Sequence, residues 1–291
     1  MDVFRSCLAV PGNNPAMLLK SSSLGADVSM LDLEDGVAPT EKDAARLLLK
    51  HTLKTLDFSP SKVFVRINSL DTLGKEDLKA IVPCSPYAII IPKVETAEQI
   101  AQVVEIVERY EPKDKPQIRF MPVIETARGL ANVFSVADSS KRIVAISLGG
   151  EDFLASIGSK RSRERKELFF ARSMMVTAAA AAGIIAIDTP VIDVDDQQGL
   201  VEDATFSAEM GFTGKICINP RQVGTVNRIF SPSATEIKWA KRIIKAMREH
   251  EENNSGVFSL DGKMVDLPIA LQAEKIMYLV RNYGLDREGL S

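Results

Sequence analysis

Histidine, cysteine and tryptophan are scarce here: two, three and one among 291 residues. His51 falls within a helical pattern and His250 within the polar run REHEENNSG. An imidazole zinc site or a Ser-His-Asp relay therefore has little to build on. Cys7, Cys84 and Cys217 are odd in number and far apart, which gives no paired zinc spacing and argues against a disulfide framework. No charge predominates: the net charge is −3 and the pI about 5.6, without the basic surface of a nucleic-acid binder or of a protein held on anionic membranes. The longest apolar run, residues 174–187, is broken by Thr177 and Gly183 and falls short of the roughly 20 residues needed to span a bilayer. The opening MDVFRS carries an acid at once and no apolar signal region, and the last residues match no address signal, so a cytoplasmic protein is expected. If the chain performs chemistry, carboxylates and arginines must carry most of it.

What is present is a repeating pattern. Short β-rich apolar runs occur at CLAV (7–10), VSMLDL (28–33), VFVRI (63–67), AIII (88–91), IRFMPVI (118–124), IVAISL (143–148), IIAID (184–188) and KICI (215–218). Between most of them lie amphipathic helical patterns, such as EKDAARLLLKHTLKTL, TAEQIAQVVEIVERY and ERKELFFARSMMVTAAAAAG, the last closed by Gly183 as a C-cap. GKEDLKAIV (74–82) is a short helix at best. Near-continuous apolar strands alternating with helices indicate parallel β/α units. Eight such units in this length predict an α/β protein with a TIM-type (β/α)8 barrel over residues 1–230. An open doubly wound sheet is the structural alternative, weakened because no G-x-G-x-x-G follows the first strand.

Nearly every strand runs into polar residues. The first meets Pro11-Gly12-Asn13-Asn14 and the second Glu34-Asp35-Gly36. The third holds Arg66 and Asn68, and the fourth meets Pro92-Lys93-Val94-Glu95. The fifth meets Glu125, Thr126 and Arg128, the sixth Gly149-Gly150-Glu151-Asp152, the seventh Asp188 and the eighth Asn219-Pro220. Barrel active sites lie at these strand ends. Polar strand ends are also ordinary solvated positions, so the signal lies in the whole set.

Glu125 and Asp152 end neighbouring strands. Two carboxylates with few other ligands suit a hard cation that keeps several waters, Mg²⁺ ahead of Ca²⁺ or Zn²⁺. The competing idea is a metal-free acid/base pair, which accounts less well for Arg66 and the Gly-Gly loop. Arg66 is costly to bury unpaired. It pairs with Glu34 or Asp35, binds an anionic substrate or developing oxyanion, or does both. Gly149 and Gly150 allow close backbone approach to a ligand, with N–H groups that can hold a carboxylate.

The segments RSCLAVPGNN, MLDLEDGVAPTEKDAAR, VRIN, IIPKVET, VIETARGLAN, GGEDF, GFTGKICINPRQV and DGKMVDLP, in this order across almost the whole chain, resemble the citrate lyase β-subunit / HpcH–HpaI aldolase family. The resemblance implies a barrel that cleaves or forms carbon–carbon bonds in 3-hydroxyacyl thioesters with Mg²⁺. It implies Glu125 and Asp152 as metal ligands, Arg66 as contact to the substrate acid and the reacting oxygen, and Glu34 and Asp35 as acids around the metal's waters. Arg5, Pro11 and Gly12 match positions where CoA-dependent relatives bind the nucleotide end of the thioester. LGGED departs slightly from the glycine-alanine form of the family.

Residues 231–291 read as a C-terminal helix–hairpin–helix extension. SPSATEIKWAKRIIKAMREHEEN is an amphipathic helix with Trp239 packed, Asp261-Gly262 marks a hairpin, and IALQAEKIMYLVRNYG is a helix capped near Gly284. By resemblance, Asp266 is the acid/base at the acetyl carbon, delivered to a neighbouring subunit's barrel. By spacing alone it is a helix N-cap before Leu267-Pro268. The arm after residue 255 has too little core of its own, so a homo-oligomer, trimer or hexamer, is expected. The basic run GSKRSRERKE (158–167) is either a contact to the thioester's phosphates or a solvated helix start. Malyl-CoA, citramalyl-CoA and a citryl thioester on an acyl-carrier protein remain open as substrates, since one methylene carries about 1–3 kcal/mol. A thioester hydrolase or condensing enzyme, and a non-catalytic barrel subunit, are the other classes.

Overall fold

The computed structural model describes residues 3–251, 258–260 and 263–285. Its contacts divide the chain into two units, Met1–Arg228 and Ile229–Ser291.

In the first unit, eight strands form a closed barrel: β1 (Ser6–Pro11), β2 (Val28–Asp32), β3 (Lys62–Arg66), β4 (Ala88–Ile91), β5 (Arg119–Ile124), β6 (Ala145–Leu148), β7 (Ile185–Asp188) and β8 (Gly214–Cys217). Every neighbouring pair is parallel, and β8 returns to β1. The open-sheet alternative is thereby excluded. All eight apolar runs are strands, with ends within two residues of the sequence reading.

Both strand faces are buried, which is why the runs are apolar throughout rather than alternating. Val28, Met30, Phe64, Ala88, Ile90, Met121, Val123, Ala145, Ile185 and Ile187 share one core inside the barrel. The intervening residues Leu31, Val65, Ile89, Phe120 and Ile146 are equally buried, on the other strand face. Period-2 alternation then decides what crowns the core. Continuing the inward register leads from Met30 to Asp32, from Phe64 to Arg66 and from Val123 to Glu125.

The helices Lys42–Thr55, Ala97–Tyr110 and Phe169–Ala182 follow the expected patterns. Thr96 and Gln99 form a capping box at the start of Ala97–Tyr110. Gly183, at φ +69°, ends Phe169–Ala182 in the left-handed region. The stretch expected to be a short helix is one, Gly74–Ile81.

The second unit contains the helix Ala234–Glu251, an antiparallel pair β9 (Phe258–Leu260) and β10 (Lys263–Val265), and the helix Leu267–Asn282. Asp261-Gly262 lies outside the described residues. Ile237, Ala240 and Ile243 on one helix meet Ala273, Ile276 and Val280 on the other, with Trp239 packed against them. Among the described residues, no helix is long and apolar enough to cross a membrane.

Candidate active site

At the C-terminal mouth of the barrel, one pocket is lined by Asp35, Arg66, Glu125, Gly149, Gly150 and Asp152, over an apolar floor of Met30, Ile90, Met121 and Val123. Arg66 is held by four oxygens. Nε and Nη2 donate to the two carboxylate oxygens of Asp32 at 2.7 and 2.6 Å. Nη1 lies 3.1 Å from Glu34 and 3.7 Å from Asp35. The fork fits because Asp32 and Arg66 are register partners on adjacent strands. Burial opposes both charges. Asp32 and the other acids nonetheless raise the guanidinium's pKa, while Arg66 and the N–H groups of Glu34 and Gly36 hold the Asp32 carboxyl below its ordinary range. Asp32 is the anchor that the sequence reading missed. Among the three acids of LDLED, only strand register singles it out.

Glu125 is 3% exposed. Its Oε1 accepts the backbone N–H of Lys93 at 2.6 Å, and Lys93 adopts φ +52° there. Burial first, then the charges of Glu34 and Asp152, push the Glu125 carboxyl up to about 8. Burial also raises Glu34, whose Oε1 lies 3.1 Å from Lys93 Nζ and whose Oε2 lies 3.1 Å from Arg66 Nη1. The acids Asp32, Glu34, Asp35, Glu125 and Asp152 outnumber the cations Arg66 and Lys93, so the cluster is short of positive charge. Among the described residues, no group of three or more His, Cys, Asp or Glu is arranged to hold a metal. Four carboxylates line the pocket; Glu151 is tied to Arg161 and Asp35 stands beside Arg66, which leaves Glu125 and Asp152 as the available donors. A hard cation that retains several waters fits this set, and a four-coordinate structural zinc does not.

The two glycines line the pocket, as expected, but their N–H groups do not serve a ligand. Their N–H groups are already used, Gly149 donating to Ile124 O at 3.0 Å and Gly150 to Thr189 Oγ1 at 3.1 Å. What matters is the missing side chain. A Cβ on Gly149 would stand 2.5 Å from Glu125 Cβ, and one on Gly150 would stand 2.6 Å from Thr189 Oγ1. The glycines therefore let β6 close against Glu125 and the β7 end.

Other expected residues are dispersed. Pro11 and Gly12 stand on the mouth rim, where Gly12 N–H donates to Asp32 O at 2.8 Å. Arg5 does not: it precedes β1, at the opposite end of the barrel, and its guanidinium donates to both oxygens of Asp27 at 2.9 and 2.7 Å. Asp188 also leaves the mouth set. Ile185 and Ile187 face inward, so Asp188 faces outward. There it is fully buried with Arg172 at 2.9 Å and Lys215 at 2.5 Å, and Asp203 completes the cluster. Thr189 and Pro190 represent this strand in the pocket.

The basic run 158–167 is divided: Lys160, Arg163 and Lys166 are exposed, whereas Arg161 and Arg165 are half-buried and turn inward. Arg161 is paired with Glu151 at 2.5 Å and donates to Pro190 O at 3.3 Å. Arg165 lies 3.6 Å from Asp203. In the second unit, Asp266 is the N-cap of Leu267–Asn282, accepting from Ile269 N–H at 3.3 Å.

The HpcH/HpaI aldolase/citrate lyase family model matches residues 5–220. Citrate lyase subunit beta of Leuconostoc mesenteroides subsp. cremoris is 39% identical over 290 residues, covering 98% of this chain and 96% of its own. Mitochondrial citramalyl-CoA lyase of Homo sapiens is 37% identical over 288 residues, covering 94% and 85%. The crystal structure of CitE from Mycobacterium tuberculosis in complex with magnesium, acetoacetate and coenzyme A superposes with a TM-score of 0.78 at 31% identity, covering 96% of this chain and 98% of that one. With a family model matching most of the chain, relatives at 37% and 39% identity along nearly its whole length and a closed eight-stranded barrel, the chain belongs to the HpcH/HpaI aldolase/citrate lyase family.

Proposed function

We propose that this chain is a Mg²⁺-dependent carbon–carbon lyase that splits a 3-hydroxyacyl thioester into an acetyl thioester and a 2-oxo acid. The observation that carries the reading is the convergence of Glu125, Asp152 and Arg66 on one pocket. A CitE structure with magnesium and coenzyme A, and a citramalyl-CoA lyase at 37% identity, support it.

Glu125 and Asp152 would hold the cation, and Mg²⁺ bound there supplies Lewis-acid polarisation and a template for the acid half. Glu34 and Asp35 stand beside Arg66 and Lys93, where they can accept from the cation's waters. Asp32 fixes the plane of Arg66, so the guanidinium meets the oxygen that becomes the carbonyl of the 2-oxo acid without reorganising. The apolar floor beneath it excludes water from the breaking bond. As the 3-hydroxyl gives its proton to a carboxylate of the mouth and becomes the carbonyl, the carbon–carbon bond breaks and its electron pair stays on the thioester's α-carbon as an enolate. We assign Asp266, offered by the C-terminal unit of a neighbouring copy in a homotrimer or hexamer, as the acid that returns a proton to this carbon. The Pro11-Gly12 rim is the side along which the CoA portion would run. A cytoplasmic location belongs to the same reading.

A second reading is favoured by the 39% identity to a citrate lyase beta subunit. In it the same site acts on a citryl thioester carried by an acyl-carrier protein within a larger complex.

The test is product analysis on malyl-CoA, citramalyl-CoA and citryl-CoA. Release of acetyl-CoA with glyoxylate or pyruvate identifies a free-standing CoA lyase and its substrate. Oxaloacetate from the citryl thioester alone favours the carrier-dependent subunit. Release of free CoA with the hydroxy acid intact would replace both readings by a hydrolase.

A further inference from the structure

The barrel has a second end. The inward register that finishes in Arg66 on β3 begins with Lys62, and the one that finishes in Glu125 on β5 begins with Arg119. Both cations therefore stand at the N-terminal rim, remote from the mouth. They border one cavity, with Phe58, Tyr87 and Cys84 among its walls and no carboxylate among the residues that line it.

Of the two charges Lys62 is exposed, and the half-buried Arg119 is the unusual one. Nearby rim arginines have acids: Arg5 has Asp27 at 2.7 Å and Arg142 has Glu111 at 2.5 Å. Among the described residues, Lys62 and Arg119 have no carboxylate partner, although Arg119 is half-buried. Lys62 Nζ instead lies 5.2 Å from the Tyr87 ring centroid. Tyr87 is stacked on Phe64 of the barrel core, with centroids 5.6 Å apart and planes 13° apart, so the aromatic wall is rigid. A partly desolvated guanidinium without a counter-ion gains from any anion that reaches it. A concave apolar and aromatic wall with a few convergent polar groups is the chemistry of a small-molecule site.

We propose that this cavity is a second binding site, for a small organic anion whose carboxylate or phosphate lies between Lys62 and Arg119 and whose apolar body rests on Tyr87 and Phe58. The site is independent of the lyase reading, because none of its residues lines the mouth pocket.

The protein carries its own reporter. Cys84 lines the cavity and is partly exposed, whereas Cys7 and Cys217 are buried. Alkylation of Cys84 in the full-length protein is followed by mass spectrometry while benzoate, phenyl phosphate or inorganic phosphate is titrated. Benzoate or phenyl phosphate should slow alkylation saturably, and the stronger of the two identifies the anion. Arg119→Gln and Lys62→Gln should each weaken that protection by about tenfold or more. Arg66→Gln, at the mouth, should leave it unchanged. The proposal fails if neither organic probe protects, if protection survives both rim substitutions, or if Arg66→Gln removes it. Inorganic phosphate protecting as well as phenyl phosphate would refute the role given to Tyr87 and Phe58.

Discussion

Replacing Glu125 by Gln should make the cation-free protein less sensitive to alkaline pH. In the fold, the Glu125 carboxyl is pushed from an ordinary 4.5 up to about 8. Below the lower value, folded and unfolded chains both hold the proton. Between the two values the folded chain keeps a proton that the unfolded chain has lost, so stability falls as pH rises. Above the upper value the loss is complete. At 1.36 kcal/mol per pH unit, the full effect is at most roughly 5 kcal/mol. Glutamine has nearly the shape of the protonated acid. It can keep the 2.6 Å bond from Lys93 N–H, and it cannot ionise. Urea unfolding in chelator at about pH 5 and about pH 9 measures both proteins. Wild type should lose several kcal/mol more than Glu125→Gln across that range. Because Glu34 is raised in the same direction, the difference between the two proteins is the diagnostic quantity. Mg²⁺ should restore wild type at the alkaline end and leave the variant unchanged. Parallel pH profiles would refute the reasoning.

Arg66→Lys removes the two-pronged contact to Asp32, and steady-state kinetics should show kcat lowered by about 10²-fold or more, with a smaller change in KM. Gly149→Ala sets a Cβ 2.5 Å from Glu125 Cβ. It should cost about 1–3 kcal/mol of stability and weaken cation binding, measured by denaturant titration and calorimetry. Asp266→Asn keeps an N-cap of equal quality, whereas Asp266→Ala costs about 1 kcal/mol. If Asp266 returns the proton, the Asn variant unfolds like wild type but loses turnover while still binding thioester. Full turnover in that variant would leave only the cap.

The barrel was legible because burial on both faces writes each strand as an apolar run, and each run meets a helix pattern. The mouth was legible because Glu125 and Asp152 end such runs. Side-chain direction was harder to read. Asp32 and Asp188 both close strands, yet one faces Arg66 inside the barrel and the other faces Arg172 outside it. Parity separates them: Met30 and Ile187 face inward, so Asp32 follows inward and Asp188 outward. Arg5 was misassigned by family pattern, although its place before β1 already set it at the far rim. The roles of Gly149 and Gly150 depend on contacts with Glu125 and Thr189 from other strands. No local sequence signal encodes those contacts.

The most direct test of the central claim is release of 2-oxo acid from the cleaved thioester, measured with Mg²⁺ and with chelator for wild type, Glu125→Gln and Asp152→Asn. The account predicts release from wild type that chelator abolishes and Mg²⁺ restores, and no Mg²⁺-dependent release from either folded variant. Chelator-insensitive release, or wild-type turnover in either variant, would contradict it.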